Sequence, residues 1–296
     1  MRKINRKIGN TNTLLAFILF LLWMIVLGAS GLPSVYAWFL LKLVIPFLGS
    51  AGMLISLVLI AINLSKRRRL AGRIITFGLC TIMALHLLLT LNIIRMPYPA
   101  QIDRTKPAVT ATWPLAGPTV VGWGGDSTHT NLPHVIWPSE RWAYDLLMEP
   151  YSTGSTHFED YGIWNQDVIA PVSGTVIAAY GAEPDITPGS EDVLSMEGNH
   201  VYLKIEETGT YLLLNHLRQN SVQVQVGDHV KPGDVLGRVG NSGSSSEPHL
   251  HIHHQRQNPL STPHPILAEG LPLYFTGTDA VPMPEKGAVV LPLRQP

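Results

Sequence analysis

Histidines 249, 251 and 253 stand at alternate positions in the run Pro248-His-Leu-His-Ile-His-His254, directly after the glycine- and serine-rich segment 241–247. Successive side chains of an extended chain point to opposite faces. His249, His251 and His253 therefore share one face, while Leu250 and Ile252 turn the other way, toward a core. Neutral imidazole is the commonest nitrogen ligand for zinc, and a catalytic zinc needs only three protein ligands beside an open position for water. Taken alone, such a row is equally a polar strip facing solvent, so the choice depends on what other elements bring to it.

Those elements read as β. Short alternating or β-rich runs recur between turn signals at Asp167 to Ala170, Gly174 to Ala179, His200 to Ile205, Tyr211 to Leu217, Val222 to Val226, Asp234 to Val239 and Pro248 to His254. Sustained helical periodicity is absent after residue 113, and closely spaced strands with Gly and Pro between them predict a sandwich or small barrel. The phrases Ile169-Ala-Pro-Val-Ser-Gly-Thr-Val176 and Val230-Lys-Pro-Gly-Asp-Val-Leu-Gly237 also suit sandwich barrels that carry swinging cofactors. No lysine occupies the hairpin position that such a cofactor requires.

Charge divides the chain in two. Residues 1–96 hold eleven Lys or Arg and no Asp or Glu; residues 97–296 hold ten basic and twenty-one acidic residues, a formal charge of −11 before histidine. That balance disfavours nucleic acid and anionic surfaces as partners of the second part. Its two hundred residues suit one domain with a sizeable core. Cys80 is the single cysteine, which excludes an intramolecular disulfide and any multi-thiolate metal site.

The first part is expected to cross a membrane three times, at about Leu14 to Gly31, Leu43 to Leu64 and Ile74 to Ile94, each near the ~20 residues a bilayer requires. Arg2, Lys3, Arg6 and Lys7 precede the first span, and Lys66, Arg67, Arg68, Arg69 and Arg73 separate the second from the third, whereas Leu32 to Leu41 carries no charge. Basic loops stay in the cytoplasm. The N-terminus is therefore expected inside, and residue 97 onward outside. A cleaved signal peptide ending near Ser30 is the competing reading, and it leaves the large domain outside as well. His86, within the third span, is expected to be a packed or helix-bonded histidine, since no other ionisable group shares that span. The proline-containing stretch 97–112 reads as a linker, 113–275 as the β domain and 276–296 as a C-terminal tail.

Five ordered motifs carry a family resemblance: Tyr161-Gly-Ile-Trp-Asn-Gln-Asp-Val-Ile-Ala-Pro-Val-Ser-Gly-Thr-Val176; Gly198-Asn-His-Val201; Leu214-Asn-His-Leu217; Val226-Gly-Asp-His-Val-Lys-Pro-Gly-Asp-Val-Leu-Gly237; and Gly240-Asn-Ser-Gly243 with Pro248-His-Leu-His251. In order and spacing they resemble the lysostaphin/LytM-type zinc metallopeptidases. The resemblance spans roughly residues 113–275 and implies an all-β core of the barrel-sandwich, duplicated hybrid motif type behind the three helical spans. It also implies a metal set of one early histidine, Asp145 and His251 holding Zn2+, with His216 and His249 in the catalytic places. The activity implied is a membrane-anchored zinc endopeptidase acting outside the cytoplasm. Its implied substrate is peptidoglycan or another peptide, with no nucleic acid partner. A noncatalytic relative that binds cell-wall peptide or a protein is the alternative.

One position departs from the family's pattern. Its first ligand usually stands four residues before the aspartate, and here that residue is Arg141, which cannot ligate zinc. Asn131-Leu-Pro-His134, leading by a longer loop into Trp142-Ala-Tyr-Asp145, resembles a branch in which this ligand is displaced upstream. His134 is expected to supply it rather than His129, which sits between threonines in a polar turn. His216 has the strand parity of Leu212 and Leu214. An unpaired imidazole buried there would be costly, which favours a functional place for it. His253 is expected behind or beside the metal, His157 in a loop bordering the cleft, and His200, His229, His254 and His264 at the surface.

Overall fold

The structure is a computed structural model that describes residues 2–293. It divides into two compact units, Met1–Pro99 and Ala100–Pro296.

The first unit is helical: α1 (Arg2–Gly28), α2 (Leu32–Phe39), α3 (Ile45–Ser65), α4 (Ala71–Ala84) and the single turn α5 (Leu87–Thr90). Five residues of π-helix, Leu40–Val44, join α2 to α3 without a break. Three stretches are long and apolar enough to cross a membrane: Ile8–Gly28, Leu32–Ser65 and Ala71–Thr90. The second therefore starts at Leu32 rather than Leu43, and the segment expected as a connection is helix. Pro33 in its first turn has no N–H to lose there, and Val35, Trp38 and Leu41 are buried. Trp38 meets Trp23 edge to face at 6.5 Å, a contact between distant residues that no local pattern announces. Gly49 and Gly52 let α3 and α4 approach closely; a Cβ on Gly49 would lie 2.4 Å from the Ala84 nitrogen. His86 is satisfied within the bundle, accepting from the Trp23 indole N–H at 3.2 Å and donating to the Ile82 carbonyl at 3.1 Å.

The second unit contains β1 (Val109–Thr112), β2 (Thr119–Trp123), the single turn α6 (Leu132–Val135), β3 (Tyr144–Leu147), β4 (Asp167–Ile169), β5 (Gly174–Tyr180), β6 (Asn199–Ile205), β7 (Tyr211–Leu217), β8 (His229–Val230), β9 (Val235–Arg238), β10 (Leu250–Gln255), β11 (Gly270–Leu271), β12 (Leu273–Thr276) and β13 (Val289–Val290). Nine of these strands form one sheet in the order β13-β2-β3-β10-β7-β6-β5-β8, with β11 also on β10. Two small sheets, β1-β12 and β4-β9, complete the unit. Val109, Ala111, Val168, Leu236, Leu273 and Phe275 from the small sheets join Leu146, Leu203, Leu212, Leu214, Leu250 and Ile252 of the large one in a single core. This is a sandwich, as the strand pattern predicts.

Two strands lie outside the expected 113–275, and one expected strand does not form. Val109–Thr112, inside the expected linker 97–112, pairs in parallel with β12, and Val109 and Ala111 are buried. Within the expected tail 276–296, Val289–Val290 pairs with β2; residues 294–296 lie outside the described residues. The folded unit thus runs past 113–275 at both ends, because each added strand finds its partner far away in sequence. Conversely, Val222 to Val226 forms no strand among the described residues. Val222 and Val224 pack against the core, and the segment bonds through Gln223 N–H to the Leu236 carbonyl and through Gln225 to Asp228 in a turn.

His254, expected at the surface, is 1% exposed. It lies on the core side of β10, donating from Nδ1 to the Pro272 carbonyl at 3.1 Å and accepting from Thr210 Oγ1 at 2.7 Å. Burial pushes its pKa down to about 4. The unfolded chain, with a histidine near ~6.5, binds this proton first, so stability is complete above that pH and is lost as pH falls through the folded value. At ~1.4 kcal/mol per pH unit the loss is about 3 kcal/mol. Urea unfolding of residues 100–296 at pH 7 and pH 4 should show His254→Gln losing about 3 kcal/mol less than wild type; equal losses would refute the assignment.

Candidate metal and catalytic site

The cleft face of the large sheet carries the polar row. Cα register places Asp145 of β3 opposite His251 of β10, and His251 opposite Asn215 of β7, so one rung spans three strands. Leu250 and Ile252 are fully buried in the core on the other face. His249, His251 and His253 all line a cleft of about 780 Å³ above the sheet. They are buried in its floor rather than spread over a solvated strip, with 8%, 5% and 5% exposed.

His134 arrives from α6. Its Nε2 lies 3.4 Å from Asp145 Oδ2, while Asp145 Oδ1 is 2.9 Å from His251 Nδ1 and 3.5 Å from His249 Nε2. One ligand atom from each of His134, Asp145 and His251 lies within 4.8 Å of the others. Asn131, fully buried, sets the His134 ring. Its Nδ2 donates to the Gly125 and Ala143 carbonyls, both 3.0 Å away, so its Oδ1 is left to accept from His134 Nδ1–H at 2.7 Å. The Nε2 lone pair of neutral His134 then faces a carboxylate. Burial works against charge on both groups, yet each favours the charged form of the other: Asp145 is held well below the usual carboxylate range, with His249 contributing, and His134 is raised. Acceptors converging on one point bind positive charge, and two histidines with one aspartate suit zinc.

Arg141, four residues before Asp145, holds a loop instead of a metal. Its guanidinium pairs with Asp126 at 2.8 Å and donates to the Asp126 carbonyl at 3.1 Å, while Trp142 Nε1–H donates to Asp126 Oδ1 at 2.7 Å. These bonds tie down the loop from which α6 departs. His129 lies exposed in that loop, outside the cluster.

His216 reaches the cleft through a distortion. Strand parity would turn it with Leu212 and Leu214 into the core. The register between β6 and β7 shifts between Asn199 and Val201, which accommodates an extra β7 residue, and His216 adopts φ +63°. Leu217 takes the core position instead, fully buried. A left-handed residue with a Cβ costs about 1–2 kcal/mol, which the surrounding bonds must offset. His216 Nδ1–H donates to the Ser242 carbonyl at 2.8 Å. Gly198 and Gly243 make room for that carbonyl: both have positive φ, and a Cβ on Gly198 would lie 2.4 Å from the Ser242 oxygen. Burial, with His249 and His251 alongside, lowers His216 well below its ordinary pKa, so the ring is neutral and Nε2 offers a lone pair. His249 donates from Nδ1 to the Glu247 carbonyl at 2.8 Å, with its Nε2 3.5 Å from Asp145 Oδ1, and the His216 and His249 rings lie 4.7 Å apart.

The remaining histidines differ in place. His253 contacts His251 at 2.9 Å behind the cluster. His200 is half-buried and His264 exposed, both on the cleft wall, and His229 is exposed elsewhere. His157 is exposed and does not line the cleft. Sequence reasoning missed Asn131 and Asn215; the latter stands on the cleft wall with its buried Oδ1 lacking a protein partner among the described residues. Asn131 left no signal beyond its place three residues before His134. Gln255 was also missed, although it continues the alternation 249, 251, 253.

Comparison with known proteins fits this geometry. Residues 160–263 match peptidase family M23, a segment that holds His216, His249 and His251 and begins after His134 and Asp145. Among solved structures, the chain is similar to the antimicrobial peptidase lysostaphin from Staphylococcus simulans, with 22% identity and TM-score 0.32 over 51% of this chain and 46% of that one. It is similar to a zinc containing peptidase from Vibrio cholerae, with 17% identity and TM-score 0.26 over 49% and 33%. A third similarity is to the SpoIIQ-SpoIIIAH pore forming complex, with 20% identity and TM-score 0.32 over 51% and 89%. The chain thus spans less than half the length of the lysostaphin and Vibrio structures. None of the curated proteins matches it. Downstream of its apolar helices, the chain carries a β-rich unit of which residues 160–263 match peptidase family M23.

Proposed function

We propose that the protein is a membrane-anchored zinc metalloendopeptidase acting outside the cytoplasm on the peptide cross-links of peptidoglycan. One observation carries this reading: His134, Asp145 and His251 converge in one cleft floor with two further histidines, His216 and His249, each held through Nδ1 by a backbone carbonyl. His134, Asp145 and His251 would hold the zinc, which would supply a Lewis acid for the peptide carbonyl and lower the pKa of water toward ~7.

The side chains divide the remaining work. Asn131 presents His134 Nε2 to the ion. Neutral His216 accepts a proton at Nε2, its Nδ1–H held by the Ser242 carbonyl, and His249 is available to return a proton to the leaving amine or to steady the oxyanion. The cleft suits a peptide in charge as well as in size. Among its described lining residues are Glu140, Glu191 and Glu197 and no Lys or Arg. The three apolar helices and the basic residues around them support anchoring with the β domain outside.

Two measurements test the proposal. Purified protein should contain about one zinc per chain and release soluble fragments from peptidoglycan; stoichiometric zinc without hydrolysis would leave a binding protein. Protease added to intact spheroplasts should digest the β domain. Protection until the membrane is permeabilised would reverse the topology.

A further inference from the structure

Behind the cluster, the alternation of β10 continues as a chain of buried hydrogen bonds. His251 Nε2 lies 2.9 Å from His253 Nδ1, and His253 Nε2 lies 3.2 Å from Gln255 Oε1. Gln255 Nε2 donates to the Gln257 carbonyl at 2.7 Å, and Gln257 Oε1 accepts from the Glu269 N–H at 2.7 Å. His251, His253 and Gln255 are 5%, 5% and 1% exposed, which leaves little room for water to rearrange the bonds.

With both rings neutral, the chain has one consistent direction. The Gln257 carbonyl can only accept, so the Gln255 amide must turn its NH2 toward it and its Oε1 toward His253. Oε1 in turn only accepts, which places a proton on His253 Nε2. His253 Nδ1 is then an acceptor, and the hydrogen between the two rings belongs to His251 Nε2. That arrangement leaves the Nδ1 side of His251 turned toward Asp145 as the ligating side. Had Gln255 been apolar, His253 would be free to carry its proton on Nδ1 and donate to His251 Nε2. His251 would then hold its own proton on Nδ1, where it competes with the metal.

We infer that Gln255, acting through His253, is a positioning residue that fixes the protonated nitrogen of His251 so that Nδ1 faces the metal. The inference rests on the zinc reading of the cluster. It extends that reading to His253 and Gln255, which line the cleft outside the proposed ligand set, and it makes Gln255 a determinant of metal affinity rather than of packing. Hydrogen-bonded neighbours of metal-bound histidines act in this way, fixing ring orientation and changing metal affinity by about 10- to 100-fold when removed.

The test uses full-length protein in detergent micelles, with ring-15N histidine for long-range 1H–15N spectra after zinc removal, and zinc affinity from competition with a chelator of known affinity. Wild type should carry a proton on His251 Nε2. Gln255→Leu should lose it in a large share of molecules and bind zinc about 10- to 100-fold more weakly. An unprotonated His251 Nε2 in wild type would overturn the inference, and that spectrum decides even if the leucine variant fails to fold. So would a leucine variant unchanged in either proton position or zinc affinity. If wild type binds no zinc at all, the metal reading fails separately, and the ring proton still reports on the chain of bonds.

Discussion

His216→Ala should keep about one zinc per chain and lose peptide hydrolysis by roughly 10²–10⁴-fold, the usual contribution of a general acid or base. The separation follows from geometry. The ligand atoms of His134, Asp145 and His251 cluster without His216, whose ring is tied through Nδ1 to the Ser242 carbonyl and whose Nε2 faces the cleft. Because His216 sits at φ +63°, the alanine variant retains the backbone strain while losing the bond that offsets it. His216→Gly removes side chain and strain together. It should be equally inactive, yet more stable than the alanine variant by about 1 kcal/mol. Zinc content and chemical denaturation of the two variants check this. Loss of zinc in either would make His216 a ligand, and an active glycine variant would remove it from the chemistry.

His134→Ala should abolish stoichiometric zinc and with it all hydrolysis, whereas His129→Ala should leave zinc in place with at most a modest change in substrate affinity. His134 supplies an Nε2 at 3.4 Å from Asp145 Oδ2, and its ring is held by a buried asparagine whose two donors are already committed. Removing the ring leaves Asp145 and His251, too few ligands to hold the ion against buffer and chelators. His129 lies exposed in the turn before α6. Elemental analysis of both variants decides between them. Zinc lost from the His129 variant and kept by the His134 variant would reverse the assignment, and zinc kept by both would place the early ligand elsewhere in the chain.

What the sequence determined by itself was periodic or compositional. Alternation in Pro248 to His254 assigned three histidines to one face and Leu250 and Ile252 to the core, because a strand's period of two depends only on local geometry. Charge-free apolar length announced helices able to cross a membrane, since bilayer thickness sets that length whatever the packing. Tertiary structure decided what depends on remote partners. Val109–Thr112 looked like linker until β12 lay beside it, and Leu32 to Leu41 looked like a connection until Trp38 met Trp23. The clearest case is His216. Parity assigned it to the core, and only a bulge in β7, accommodated where Gly198 and Gly243 admit the Ser242 carbonyl, turns its ring into the cleft. Parity survives only while the register is unbroken, and register is a property of two strands, not one.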